Sequence, residues 1–404
     1  MKKILLGIVL LCIWIGAASS ATINVSACTP AALTQAVTDA AIDDTVLFPA
    51  CAVTNWNATV NITKKIHLKG RGSSGASITH IKSQATGGFL GPQIKFTGVT
   101  GFTICCMKLQ GKQTGDEQLG DKGLSVINGI NFAIFDNELY NFGMASEFAG
   151  NPQTMRGVIY NNYIHHNAKY DNGVLGYGAE VRGNLKNYPE LELGNYNNIF
   201  FEDNTFEANR HSIASIGGAR YVARYNTFIN SRENATPIDV HGPSNVNYVT
   251  GGRQYEIYNN VITNAENEFG GIGIRGGDGV IFNNVVTGYT NPLKMWMEDG
   301  GSAPGCNCTY PCTNQTVDLW MWNNSFSTVS HKDACDAVKL QEGRDYYFEE
   351  KAGYTLVTVS GMPNFPTGKA VVHPTNAIYP HQLREDPQVF PPDAPTIFHV
   401  APLP

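Results

Sequence analysis

The sequence predicts an all-β solenoid: short strands wound into stacked coils around one core, with an N-terminal helical cap and an irregular C-terminal tail. Two observations predict it. The first is a pair of interleaved patterns between Ile238 and Glu298. One pattern ends in Gly after a polar residue, as in Asp239-Val240-His241-Gly242 and Gly273-Ile274-Arg275-Gly276. The other ends in Asn-Asn, as in Ile257-Tyr258-Asn259-Asn260 and Ile281-Phe282-Asn283-Asn284. Recurrence at this period marks units that cannot bury their apolar faces alone and so stack on a common core. The second observation is a fixed register around one Asn, at Asn137, Asn162, Asn204, Asn226, Asn260, Asn284 and Asn324. Three residues before it the side chain is always apolar (Ile134, Ile159, Phe201, Ala223, Ile257, Ile281, Met321), and two residues after it again (Leu139, Ile164, Phe206, Phe228, Ile262, Val286, Phe326). Asn tolerates left-handed turns, and stacked amides hydrogen-bond from coil to coil, so these residues read as structural.

Each element follows in order. Residues 1–21 read as a secretory signal: Lys2-Lys3, an apolar run from Ile4 to Ile15, then small residues to Ala21. No later stretch is apolar enough to span a bilayer, so the expected product is secreted, extracellular, cell-surface or periplasmic, and not membrane-embedded. Thr29 as N-cap and Pro30 at the first helical position open a short helix whose apolar face is Leu33, Val37 and Ala40-Ala41. A strand over Thr45–Phe48 and another at Lys65–Gly70 lead into the coils. The helix thus covers an open solenoid end, which otherwise exposes core and strand edges. The coils occupy 22–330 together with this cap. From 331 to 404 the Asn pattern stops and Pro-rich segments follow, which predicts an extension that packs along the outside or closes the last coil.

The 404 residues carry a net charge of −6, which argues against nonspecific nucleic-acid binding. Of nine cysteines, Cys12 lies in the signal, leaving eight. An even number in an oxidising compartment favours disulfides. Cys28 precedes the cap helix and Cys51 follows the strand after it, so return of the chain brings them together. Cys306, Cys308, Cys312 and Cys335 cluster late in the chain; their spacing is not that of a standard zinc knuckle, and disulfides of open connectivity are expected there. Cys105-Cys106 are adjacent and are expected to face opposite sides of a strand.

The cap helix, the Asp44-Thr45-Val46-Leu47-Phe48-Pro49 strand, Leu68-Lys69-Gly70-Arg71-Gly72 and the Asn-turn coils together resemble the pectate-lyase-like superfamily over Cys28 to Thr328. The resemblance implies a right-handed parallel β-helix; the handedness comes from it alone. The Trp-Ile-Asp-His and Arg-x-Pro-x-x-Arg motifs of pectate lyases are missing, as is the ordered motif set of polygalacturonases. Asp239-Val240-His241 is similar to the Asp-Pro-His of mannuronan epimerases but lacks the Pro. Calcium, common among such lyases, needs clustered carboxylates; Asp239 with Glu180 or Glu298 supplies part of a set.

Candidate site residues lie on the Gly-terminated strands. Aligned on their Gly, the rungs read Glu180-Val181-Arg182-Gly183, Ser215-Ile216-Gly217-Gly218, Asp239-Val240-His241-Gly242, Gly273-Ile274-Arg275-Gly276 and Trp296-Met297-Glu298. With the middle residue inward, the flanking residues form two outward columns with coils about 4.8 Å apart. Asp239, His241 and Arg275 are the expected catalytic group: a proton-abstracting imidazole, its orienting carboxylate, and a guanidinium that neutralises a uronate carboxylate. Glu180, Arg182, Lys294, Trp296 and Glu298 are the expected substrate-binding residues, with Trp296 stacking on a sugar ring. The competing reading is a solvated face of ion pairs, each worth about 0–1 kcal/mol. Arg210-His211 are weaker candidates that reach over the same face, and His165-His166 lack a third metal ligand. The expected function is binding of, or lyase- or epimerase-like action on, an extracellular acidic polysaccharide by a monomer. Non-catalytic carbohydrate binding, a surface-structural role, and glycosidase action through Asp239 and a Glu are the alternatives.

Overall fold

In the computed structural model, residues 20–75, 78–84, 91–112, 121–167, 176–194, 196–232, 235–243, 250–267, 269–298, 308–352, 354, 356–357, 370–371 and 379–384 are described; all but the last two residues of the segment expected to be a signal lie outside them. Three long parallel sheets, of twelve, ten and nine strands, run the length of the solenoid, which is a parallel β-helix. One coil shows the winding. Lys122–Ile127 lies in the ten-stranded sheet (sheet 2), Ile130–Phe135 in the twelve-stranded sheet (sheet 1) and Glu138–Tyr140 in the nine-stranded sheet (sheet 3); Met144–Gly150 then returns to sheet 2.

The corner between sheets 1 and 3 is a two-residue turn. Its first residue is left-handed at Asp136, Asn161, Asp203, Tyr225, Asn259, Asn283 and Asn323. Its second is the ladder Asn. Each ladder Asn from Asn137 to Asn284 donates its backbone N–H and its side-chain amide to Oδ1 of the Asn on the next coil. These bonds are 3.0 Å from Asn137 to Asn162 and from Asn204 to Asn226, and the ladder runs on to Asn324. The same amide also donates to a main-chain carbonyl one coil back, such as Ile134 for Asn162 at 2.9 Å. Buried amides are tolerated here because every donor is satisfied. The apolar residues around each Asn pair in the register their spacing predicts, Ile134 to Ile159 to Phe201 to Ala223 and onward to Met321.

At the N-terminal end the helix α1 (Pro30–Asp39) has Thr29 as its N-cap and buries Leu33 and Ala36. Lys64 closes its other end by donating to the Val37 and Thr38 carbonyls at 2.9 and 3.2 Å. A disulfide joins Cys28 to Cys51. Another joins Cys308 to Cys312, and Cys335 is disulfide-bonded too; Cys306 lies outside the described residues. At the far end Ser330–His331 extends sheet 2 and Tyr346–Tyr347 extends sheet 1. The helix α2 (Ala334–Lys339) is tied to the end of sheet 2, where Asp336 accepts the Met297 amide at 2.9 Å. Tyr354, Tyr379, Leu383 and Arg384 lie on the outer face of sheet 1.

Candidate functional site

The sheet 2 register corrects two rungs of the sequence alignment. Glu180 pairs with Ala214, Ala214 with Asp239, Asp239 with Gly273, and Gly273 with Lys294. The buried column is therefore Val181, Ser215, Val240, Ile274 and Met295, not a column containing Ile216 and Met297. Gly217 and Gly218 both take left-handed backbone, φ 74° and 80°, and form the turn themselves, so the strand before them ends at Ile216, one residue earlier than the terminal-Gly alignment places it. A one-residue slip exchanges the two faces: Ser215 goes in and Ile216 out. On the last rung Leu293–Met295 makes the ladder, and Trp296-Met297-Glu298 continues past it.

Asp239, His241 and Arg275 meet, and Glu298 joins them. Asp239 sits in a three-residue strand whose neighbours Ile238 and Val240 fill the core, so its outward carboxylate is fixed by the backbone. The Asp239 carboxylate accepts the Arg275 Nε at 2.9 Å and a second, close bond from Nη2. His241 Nε2 lies 3.2 Å from the same carboxylate, and its Nδ1 is 3.3 Å from Glu298 and 3.2 Å from Arg275 Nη1. Arg275 Nη1 also reaches Glu298 at 3.1 Å. Asp239 is fully enclosed, while the side chains of Arg275 and Glu298 are 12 % exposed and that of His241 17 %. Only the last three present atoms to solvent. Two glycines make the assembly possible. A Cβ on Gly242 would stand 2.7 Å from the Glu298 Cβ, and one on Gly273 would stand 3.1 Å from the Trp296 ring.

The charges settle one another. Burial alone would raise the Asp239 carboxyl, but the Arg275 guanidinium and the two imidazoles outweigh it and hold the group well below the usual carboxylate range. Glu298 behaves the same way: burial works against ionisation, and the hydrogen bond to His241 and the Arg275 charge overcome it. Trp296 is 6 % exposed, with Arg275 5.0 Å from its ring centroid and Phe269 edge-on at 5.8 Å. Lys294 stands in the Asp239 column, 4.1 Å from the centre of the Phe269 ring.

Glu180 and Arg182 belong to a second cluster, on the rungs before. Arg182 pairs closely with Glu180 and reaches Glu147 at 3.1 Å. Glu147 also takes Lys122 at 2.8 Å and Ser125 at 3.0 Å, and it is directly opposite Glu180 in the register. Burial and the neighbouring Glu147 charge raise the Glu180 carboxyl, whereas Lys122 and Arg182 bring Glu147 down against its burial. Tyr177, Ala214 and Met144 form an apolar strip on the same face. Glu147, Lys122 and Ser125 escape the sequence reading, although the alternation Ser146-Glu147-Phe148 one coil before Glu180 carries the signal. His211, a weaker sequence candidate, lies beneath the first cluster. Its Nδ1 donates to the Thr236 carbonyl at 2.6 Å, its Nε2 faces Asp239 at 3.4 Å, and burial pushes the imidazole down to about 3.

Calcium does not fit. Asp239 and Glu298 turn toward the Arg275 guanidinium, Glu180 is in the other cluster, and among the described residues no group of three or more His, Cys, Asp or Glu is placed to hold a metal ion. His165 ends a strand of sheet 3, where it meets Glu138 at 3.2 Å, and His166 follows in left-handed backbone.

No family model matches the sequence, and no curated protein matches it. Among solved structures the chain is similar to ORF18 of Geobacillus virus E2, at 18 % identity over 70 % of this chain and 59 % of that one, with a TM-score of 0.42. It is similar to the Dettilon tailspike protein gp208, at 13 % identity over 75 % and 58 %, TM-score 0.45. It is also similar to an alginate lyase from Paenibacillus sp. str. FPU-7, at 13 % identity over 77 % and 99 %, TM-score 0.34. The chain spans less than two thirds of the length of the first two.

Proposed function

We propose that the protein is exported and acts on an extracellular acidic polysaccharide along the outer face of sheet 2, as a lyase or epimerase. The observation that supports this reading is the convergence of Asp239, His241, Arg275 and Glu298 from separate rungs into one partly exposed cluster. A carboxylate fixed on Nε2 leaves Nδ1 as the atom of His241 that gains or loses a proton. That atom faces Glu298, the other exposed acid-base group. Arg275 is held by Asp239 through two bonds, so the fork is already oriented; a uronate carboxylate would compete with Glu298 for Nη1. Neutralising that carboxylate lowers the cost of removing the adjacent carbon-bound proton. Asp239 and Arg275 thus position, and His241 and Glu298 exchange protons.

The test is turnover on a panel of acidic glycans, read by ultraviolet absorbance of unsaturated uronates, with inversion at the uronate carbon read separately. His241→Ala should lower turnover by roughly 10²–10⁴-fold. Arg275→Lys, which keeps the charge and loses the fork, should weaken activity at least about tenfold. Each variant takes a bond from enclosed Asp239 and should lose some stability, so melts must show it folded at the assay temperature before its turnover is compared. Unchanged turnover and binding in the two folded variants would remove this cluster from consideration.

One observation favours a second reading. The glycosidase alternative needs two reachable carboxylates, and enclosed Asp239 is a poor one. Glu147 and Glu180, opposite on adjacent rungs and pushed apart in pKa, meet that requirement better. Glu180→Gln abolishing release of reducing ends without unsaturated product would favour hydrolysis.

A further inference from the structure

We propose that Cys105 and Cys106 form a vicinal disulfide in the exported protein, a redox-labile bond at the first turn of the asparagine ladder. Every other described cysteine is already engaged: Cys28 with Cys51, Cys308 with Cys312, and Cys335 in a bond of its own. Cys105 and Cys106 are the free thiols among the described residues. Had both been in a strand they would point to opposite faces, as the sequence alone predicts. The strand ends at Cys105, however, and Cys106 takes left-handed backbone with φ 66°. The left-handed turn takes Cys106 out of the strand's alternation, so the two side chains no longer stand on opposite faces of one strand. Cys106 occupies the turn position that the following coils give to Asp136, Asn161, Asp203, Tyr225, Asn259, Asn283 and Asn323. Asn and Asp visit this conformation routinely, whereas other residues lose roughly 1–2 kcal/mol there. Ring closure between neighbours gives a cysteine a reason to be at that position.

The bond forms by thiol–disulfide exchange with a small disulfide such as oxidised glutathione. The half-exposed Cys106, as thiolate, attacks one sulfur and expels the other as a thiolate. Cys105 then loses its proton to solvent, attacks the Cys106 sulfur and expels the second thiolate. The pair gives up two electrons and the small disulfide becomes two thiols. Burial holds the Cys105 thiol protonated, so the second step is fastest before the coil closes over it. Adjacent Cα atoms are about 3.8 Å apart, short of the roughly 4.4–6.8 Å that disulfides usually span, so this bond is reduced more easily than Cys28–Cys51. Its place gives it leverage. The Cys105 and Cys106 carbonyls each accept an amide, from Gly70 and Gly72, at 2.9 Å, and the Met107 amide starts the ladder by donating to Asn137 at 3.2 Å.

The experiment takes the full chain secreted into an oxidising compartment, unfolds it in acid, blocks free thiols with N-ethylmaleimide without reduction, and maps the peptides by mass spectrometry. The Cys105–Cys106 peptide should be unblocked and lighter by two hydrogens than its reduced form, and should open before Cys28–Cys51 in a dithiothreitol titration. A pair blocked at both cysteines beside an intact Cys28–Cys51 bond overturns the proposal, and the intact bond shows that export is not at fault. Cys106→Ser should leave Cys105 as a single blockable thiol; if Cys105 stays unblocked there, it is bonded elsewhere and the proposal fails.

Discussion

His211 shows what one enclosed side chain does to the whole. Its imidazole is pushed by burial to about 3, against about 6.5 in an unfolded chain. Between those values the unfolded chain binds a proton that the folded one does not. Stability therefore rises with pH through this window and is lost on acidification, by up to about 1.4 kcal/mol per pH unit. His381, pushed by burial to about 4, adds the same sign over a narrower range. His211→Gln should flatten the dependence by about one proton, read from denaturant midpoints between about pH 4 and pH 7. A slope identical to wild type would mean that His211 is charged in the fold, paired with Asp239.

At the scale of elements, the ladder and the buried columns are separate devices. Asn226→Ala removes an Oδ1 that accepts the Asn204 amides at 3.0 Å, and removes a donor to Asn260. Two enclosed donors lose their partner, so the expected loss is about 2–4 kcal/mol. A melting point within a degree or so of wild type would mean the ladder contributes order without stability. Val240→Asp places an unpaired charge between Ser215 and Ile274 and should cost about 3–5 kcal/mol or prevent folding, whereas Val285→Thr, half-buried on sheet 3, should be close to neutral. Equal stability of the Val240 and Val285 variants would refute the sheet 2 register.

For the whole molecule, the tail decides how the outer face of sheet 1 is finished. Arg224 and Glu202 are both enclosed there and bonded through Nε at 2.7 Å. Arg384 adds a contact to Glu202 at 3.1 Å and a close one to Asp203, and the Tyr379 hydroxyl donates to Asp203 at 2.8 Å. Removing one partner of a buried ionic cluster leaves the others uncompensated. Arg384→Ala should therefore cost about 2–4 kcal/mol and raise the proteolytic sensitivity of the tail, even though it lies more than a hundred residues from its partners in sequence. Limited proteolysis and thermal melts check this; an unchanged pattern would mean the strap is held by its aromatic contacts alone.

The solenoid, the Asn ladder and the inward residues around each Asn were legible in the sequence, because each coil repeats the same local contacts with the next. The convergence of Asp239, His241 and Arg275 was legible for the same reason, since they lie on neighbouring rungs of one sheet. Glu298 was placed among the site residues, but its bridge to His241 and Arg275 was not predictable, because it lies beyond the last ladder strand and reaches back over Gly242. The rungs of Ser215 and Trp296 were misaligned: a terminal Gly marks a turn and not a register, and Gly217-Gly218 spends both residues on the bend. Tertiary structure alone decided that Trp296 is covered by Arg275 and Phe269, that Glu147 joins Glu180 around Arg182, and that Cys106 leaves the strand in a left-handed turn. Each depends on where a chain leaves its strand, which side-chain periodicity does not encode.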